Sequence, residues 1–210
     1  MSDTFKEPLH KHWEAIYQNK KHKEISWHQT HSTISLDWIL HYTDKNSAII
    51  DVGSGVSVLA DNLLEQGYDN LSLLELSPTA IQTVKARLKN DKVTFYNQNI
   101  LNFETDKRFN LWHDRAVFHF LTDEKDQQDY LSKLKQYLQK DGYFLLSTFA
   151  LTGPKQCSAL DIVQYDSDKI TRLLGDDFKL LKTSHEKHPS PNGKTQDFNY
   201  FLLQKTNALQ

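Results

Sequence analysis

The chain has 210 residues, 38% of them hydrophobic and 25% charged, with a formal net charge of −2. That length suits one domain with a decorated edge, and the interspersed acids and bases create no field for nucleic acid or an anionic membrane. One cysteine excludes an internal disulfide framework, residues 1–23 lack the apolar segment of a secretory signal, and no run reaches the roughly 18–20 apolar residues that span a bilayer. The expectation is a soluble cytoplasmic protein with no membrane or nucleic-acid partner, a monomer or weak dimer because no heptad or long apolar stripe demands a second copy.

Residues 1–10 read as loosely ordered. His12–Asn19 predicts a helix with Trp13, Ile16 and Tyr17 on one face, and Ile34–Tyr42 a second one, with Ser32 or Thr33 to cap it. Residues 1–45 are read as an N-terminal helical lid and residues 46–210 as the main unit. From Ser47 strands and helices alternate: a strand over Ala48–Val52, a helix over Val58–Gln66 stopped by Gly67, and a strand over Leu71–Glu75. Ser77-Pro78 opens a helix as N-cap and first-turn proline. Strands follow over Val93–Tyr96 and Phe109–Asp114, then an amphipathic helix over Glu124–Leu138. Asp141-Gly142 turns into a strand over Tyr143–Thr148, and Asp168–Leu174 is a short helix. The final strands, Phe178–Thr183 and Phe198–Leu203, are joined too closely for a crossover helix and must pair antiparallel. The predicted architecture is α/β: a Rossmann-like, seven-stranded, mostly parallel sheet with an antiparallel last strand and helices on both faces.

The most informative stretch is Ala48-Ile49-Ile50-Asp51-Val52-Gly53-Ser54-Gly55, with Glu75 twenty residues beyond Gly55. Strand, glycine turn, helix, strand and acid form a nucleoside site in α/β sheets. The glycines admit a close ligand, and Glu75 can accept both ribose hydroxyls. A dinucleotide fingerprint requires a third glycine where this chain has Val58, and no Gly-Lys-Ser/Thr phosphate loop follows. Asp51, two residues before Gly53, suits a cationic ligand better than a diphosphate. S-adenosylmethionine carries a sulfonium and an ammonium, and it is the expected cofactor; an NAD-dependent oxidoreductase is not.

Asp51-Val52-Gly53-Ser54-Gly55, Glu75, Asn99-Ile100 and the strand ending at Asp114 resemble the class I S-adenosylmethionine-dependent methyltransferases. The resemblance covers nearly everything from Ser47. It implies that Gly53 and Gly55 border the methionine part, Glu75 the ribose, and Asn99 and Ile100 the adenine, with Leu76 a further cofactor-binding candidate. The chain departs from the pattern at Ser57, where a third glycine is frequent, and at Asn99, where the family usually has an acid. The run Trp112-His113-Asp114-Arg115-Ala116-Val117-Phe118-His119-Phe120-Leu121 resembles a subgroup of small bacterial methyltransferases, as do Trp13, Tyr17, Ser26-Trp27 and Gly153-Pro154-Lys155-Gln156-Cys157-Ser158. That resemblance does not fix the methyl acceptor.

Ligands of open α/β sheets sit beyond the carboxyl ends of the strands, so Asp114, Arg115 and His119 are expected to face the pocket. His119 is the candidate base, or else a buried histidine behind the loop. Asp114 is a candidate to orient the acceptor or the cofactor's ammonium, and Arg115 to bind an acceptor carboxylate or to pair with Asp114. Trp13, Tyr17 and Trp27 are read as lid residues that pack over the sulfonium or only dock the first helix. His10, His12, His22, His28, His31 and His41 match no metal-site spacing, so no metal is expected. Cys157 shows no support for a redox or nucleophilic role, and Phe149 and Tyr165 are read as shaping the acceptor side.

The function read from the sequence is methyl transfer to a nucleophilic nitrogen, oxygen or sulfur, with a small-molecule acceptor preferred. The alternative is a protein lysine methyltransferase, since the N-terminal aromatic pattern resembles the lysine methyltransferases of elongation factor 1A and citrate synthase. Asp123, Glu124, Asp126 and Asp129 are the acids expected to line such a groove, or to form an ordinary helix start. A non-catalytic module that keeps the cofactor fold is a third possibility, disfavoured by the retained Asp51 and Glu75.

Overall fold

A computed structural model describes residues 6–21, 24–30, 32–191, 193 and 195–206. Helices α1 (Lys6–Asn19) and α2 (Thr33–Tyr42) precede β1 (Ile49–Val52), α3 (Leu59–Glu65), β2 (Leu71–Glu75), α4 (Pro78–Leu88) and β3 (Val93–Asn97). Then come β4 (Phe109–Arg115), α5 (Glu124–Tyr137), β5 (Leu138–Phe149), a two-residue pair β6 (Gln156–Cys157) and β7 (Leu160–Asp161), α6 (Ser167–Leu174), β8 (Phe178–Pro189) and β9 (Thr195–Lys205). The main sheet has seven strands in the order β3-β2-β1-β4-β5-β9-β8. All pairings up to β4–β5 are parallel, while β9 runs antiparallel to both β5 and β8. The predicted sheet and its terminal hairpin are thus present.

Boundaries moved where tertiary pairing overrides local signals. Helix α1 begins at Lys6, within the stretch expected to be loose. Strand β5 starts at Leu138 because Leu138 pairs with Phe109, and the register then shifts so that Leu111 meets Tyr143. The intervening Asp141, at φ +59°, absorbs that bulge. Ser32 stands at the start of α2 without a side-chain cap, whereas Ser77 caps α4 by accepting from the Ala80 N–H.

Strand alternation divides the core into two layers. Ile49, Leu71, Leu73, Leu111 and Leu145 pack with Trp38, Ile39, Leu59, Leu63 and Val84 of α2, α3 and α4. Ile50, Val52, Trp112, Phe144 and Leu146 pack on the opposite side with Tyr130, Leu131 and Leu134 of α5 and Ile170 of α6. Arg87 of α4 clamps the turn after β1: it pairs with Asp61 at 2.8 Å and donates to the carbonyls of Val56 and Ser57. Among the described residues no helix is long and apolar enough to cross a membrane.

Gly53 and Gly55 have φ of +63° and +51°, a region that costs other L-residues roughly 1–2 kcal/mol. A Cβ at Gly53 would also collide with the Val117 methyl group. Gly53→Ala is expected to lower the unfolding midpoint in thermal denaturation, by at least that backbone cost.

Candidate functional site

A cavity of about 930 Å³ lies beyond the carboxyl ends of β1, β2 and β4. Of the residues singled out from sequence, Trp13, Tyr17, Trp27, Asp51, Gly53, Glu75, Leu76, Asn99, Ile100, Arg115 and Cys157 line it. Gly55, Asp114 and His119 do not.

The glycine turn and the end of β2 are joined through Glu75. Its Oε2 accepts the Gly55 N–H at 2.8 Å and its Oε1 the Ser77 N–H at 2.7 Å. Each carboxylate oxygen retains a second lone pair for a ligand hydroxyl. Burial pushes the Glu75 carboxyl up to about 6, against the pull of these N–H donors and with the nearby Asp51 charge adding to the rise. Gly55 stays off the wall because Tyr17 covers it; a Cβ there would strike the Tyr17 hydroxyl. Asn97 donates to the carbonyls of Glu75 and Leu76 and fixes the strand end. Farther along, Asn99 accepts the Leu101 N–H at 3.0 Å and starts a tight turn over Ile100–Asn102. Gln98, which the sequence did not flag, lines this end as well.

The end of β4 sends its residues to two sides of the sheet. Leu111 and His113 face α2, and Trp112 and Asp114 face α5. Asp114 is fully buried and accepts from the N–H groups of Val117 and Phe118 and from the Tyr130 hydroxyl at 2.6 Å. It pins the loop after β4 instead of reaching the cavity, and burial pushes its carboxyl up to about 6. Arg115 does not pair with Asp114. Its Nε donates to the Tyr200 hydroxyl and Nη1 to the Trp27 carbonyl, both at 3.0 Å, and its plane lies over the Phe198 ring. Tyr200 in turn donates to Glu186. His119 is fully buried beside Phe120 and Phe149, and among the described residues neither ring nitrogen has a hydrogen-bond partner. Burial, with the Arg115 charge adding, drives its pKa down to about 3. Its neighbour Phe120 takes the place on the wall expected of it.

His113, which sequence reading passed over, is on the wall; its Nδ1 is 2.6 Å from Asp51 Oδ1 and its Nε2 is 2.9 Å from Ser35 Oγ. The signal was present in the strand register, which sets the Cα of Asp51 opposite that of His113.

The N-terminal segment is tied down at two places. Glu14 of α1 accepts from the Ser77 hydroxyl at 2.5 Å and from the N–H and hydroxyl of Thr79, at the start of α4. Residues 26–29 are held by Arg115, by His188 donating to the Ser26 carbonyl, and by Gln29 donating to Glu186. Between these anchors Trp13 meets Trp27 and Phe120 edge-on at 5.7 Å and 5.0 Å between ring centres. Phe149 and Tyr165 are buried beneath the same end, and burial pushes the Cys157 thiol up to about 11. Asp123, Asp126 and Asp129 also line the cavity, at the start of α5, which packs on the Ile100–Asn102 turn. Among the described residues no group of His, Cys, Asp and Glu is placed to hold a metal; His22 and His31 lie outside them.

The family model described as "Methyltransferase domain" matches residues 43–198. The chain belongs to the class I S-adenosylmethionine-dependent methyltransferases. The donor of that family is S-adenosylmethionine. Among curated relatives, malonyl-[acyl-carrier protein] O-methyltransferase 1 of Ilyobacter polytropus is 25% identical over 170 residues, which cover 75% of this chain and 62% of that one. EEF1A lysine methyltransferase 2 of Homo sapiens is 24% identical over 157 residues, covering 65% and 66%. The chain spans only 21% of the bovine eEF1A lysine and N-terminal methyltransferase. Among solved structures, Burkholderia thailandensis 1,6-didemethyltoxoflavin-N1-methyltransferase, with S-adenosylhomocysteine bound, superimposes with a TM-score of 0.77 at 18% identity, covering 97% of this chain and 90% of that one.

The placement of His119 generates a test of the expected base. Replacing a buried, unpartnered polar ring by an apolar one of similar shape is nearly neutral or stabilising. His119→Phe is expected to keep S-adenosylhomocysteine affinity and turnover, with an unchanged or higher unfolding midpoint. Lost turnover with intact cofactor affinity would restore the imidazole as the base.

Proposed function

We propose that this protein transfers a methyl group from S-adenosylmethionine to a nucleophilic nitrogen, oxygen or sulfur atom of a small molecule, in the cytoplasm. One observation carries the reading: Asp51 and Glu75 share a wall of a cavity roofed by Trp13 and Trp27. Two carboxylates within electrostatic reach of one another, in a partly desolvated cleft, favour a ligand that brings positive charge and hydroxyl donors.

The donor, when bound, supplies a methyl group on a cationic sulfur. In this reading Asp51 and the backbone beside Gly53 and Gly55 take the amino-acid tail. Glu75 accepts the ribose hydroxyls, Leu76 and Ile100 flank the adenine, and Asn99 offers its side-chain oxygen to the adenine amine. Residues 1–45 act as a lid over the unit formed by residues 46–210. Trp13, Tyr17 and Trp27 exclude water and offer aromatic faces and edges around the sulfonium. Arg115 holds the Trp27 backbone and so sets the roof over the acceptor end. Asp114 holds the Val117–Phe118 turn from behind. With His119 behind the wall, acceleration comes from alignment and water exclusion rather than from a side-chain base, and the acceptor supplies its own free lone pair.

The lysine reading draws on the similarity to EEF1A lysine methyltransferase 2. Of the acids that favour it, Asp123, Asp126 and Asp129 line the cavity, and Asp123 and Asp129 are already engaged within α5, by the Lys125 N–H and the Lys125 ammonium. Labelled donor offered to a panel of small amines, thiols and carboxylates, in parallel with lysate proteins, separates the two. Label is expected in the small-molecule fraction. Label on protein lysine would reverse the preference, and donor binding without any transfer would leave only the non-catalytic module.

Glu75 generates a pH prediction. Ligand hydroxyls donate to the ionised carboxylate, and the free carboxyl titrates at about 6. S-adenosylhomocysteine affinity is therefore expected to be level above that pH and to fall as pH drops through it, because the proton and the ligand compete. Glu75→Gln is expected to weaken binding by roughly 1–3 kcal/mol and to flatten the profile in calorimetric titration. Asp114 titrates in the same range but lies off the wall, so a profile unchanged in Glu75→Gln would shift the titration to Asp114 and remove the ribose assignment.

A further inference from the structure

We propose that His113 and Ser35 form a positioning pair that aims the Asp51 carboxylate at the ammonium of the donor's amino-acid tail. The inference rests on the donor reading above. It begins with the backbone: in the parallel β1–β4 pairing Asp51 and His113 are direct Cα partners, and alternation turns both side chains toward α2. There the two groups meet at 2.6 Å, Nδ1 to Oδ1, and the far nitrogen of the ring meets Ser35 of α2 at 2.9 Å. All three side chains are buried, at 6% exposure for Asp51, 3% for His113 and 1% for Ser35.

A carboxylate only accepts, so His113 Nδ1–H donates to Asp51, and the Nε2 side of the ring shares a hydrogen bond with the Ser35 hydroxyl. The serine thereby fixes the plane of the ring. The ring in turn fixes one oxygen of Asp51 and leaves Oδ2 for a ligand. Asp51 and His113 both line the cavity, whereas Ser35 stands behind them in the lid helix. The contact therefore links the seating of α2 to the aim of a cofactor-binding acid. His113 and Ser35 act through Asp51.

The test exploits a ligand pair that differs only in the part Asp51 would touch. S-adenosylhomocysteine carries the amino-acid tail; 5′-methylthioadenosine keeps the nucleoside and sulfur but lacks it. His113→Leu removes the N–H, His113→Asn returns an amide donor near the same place, and Ser35→Ala frees the ring with little change in volume. Binding is read by calorimetry on the full chain. His113→Leu is expected to lose about tenfold in S-adenosylhomocysteine affinity, the weight of one charge-assisted hydrogen bond, with methylthioadenosine affinity unchanged. His113→Asn is expected to recover most of that loss, and Ser35→Ala to show a smaller loss with the same tail selectivity. Should His113→Leu not fold, Ser35→Ala and His113→Asn still decide the matter. Equal losses for both ligands, or Ser35→Ala binding S-adenosylhomocysteine like the wild type, would overturn the proposal. A wild-type protein that ignores S-adenosylhomocysteine altogether would sink the donor reading instead, and is distinguishable on that ground.

Discussion

Each oxygen of the Glu75 carboxylate accepts a backbone N–H, one from Gly55 in the turn after β1 and one from Ser77 at the head of α4. That single side chain joins the two loops on which the cavity is built. Gly55 and Ser77 belong to different βα units, whose backbones also meet where the Gly53 and Ser54 N–H groups donate to the Leu74 carbonyl at the end of β2. The Ser77 hydroxyl and Thr79 carry the connection on to Glu14 of α1, so α1, the glycine turn and the start of α4 form one hydrogen-bonded assembly around the carboxylate. A buried acid costs free energy unless its lone pairs are used. Here the Gly55 and Ser77 N–H groups offset that cost, one on each oxygen.

The second constraint is the two-residue period of β4. Consecutive residues His113 and Asp114 go to opposite faces of the sheet and acquire unrelated tasks. His113 meets Asp51 and Ser35 on the α2 side. Asp114 closes a chain from the Trp112 indole through the Tyr130 hydroxyl on the α5 side and fastens the following loop. Because that loop is fastened from behind, Val117 comes against Gly53 closely enough that no Cβ fits there. The absence of a side chain at Gly53 is therefore set by the loop after β4 as well as by the local backbone conformation.

The strands, the hairpin and the α4 cap were legible because each rests on local chemistry: β-rich runs, a connection too short for a helix, Ser-Pro at a helix start. That Asp51, Gly53 and Glu75 would share one wall was legible for the same reason, since they sit at strand ends that alternation and topology aim at one place. The β4 run was harder. Its residues stand out by chemical type, and chemical type does not say which face of a strand a side chain takes. The register between β1 and β4 decides that, and it depends on long-range pairing. His119 shows the same limit in a tight turn: in the Phe118–Phe120 turn the alternation breaks, and the aromatic Phe120 rather than the imidazole reaches the cavity. Leu138, which begins β5 four residues before the expected glycine turn is complete, is another case of pairing overriding turn chemistry.

The acids at the start of α5 illustrate how position alters the meaning of charge. Asp123 caps the helix by accepting the Lys125 N–H, and Lys125 pairs with Asp129 one turn on. Two of the three cavity-lining acids are thus engaged by ordinary helix-start interactions, which need no ligand. Elsewhere the wall is built of indole and phenyl rings, with a guanidinium stacked behind them on Phe198. Rings offer short-range contact to any planar or apolar group, whereas a carboxylate already paired within its own helix has less charge to offer a second cation. The α5 acids are therefore no evidence by themselves for a cationic partner, because the helix they begin already uses two of them.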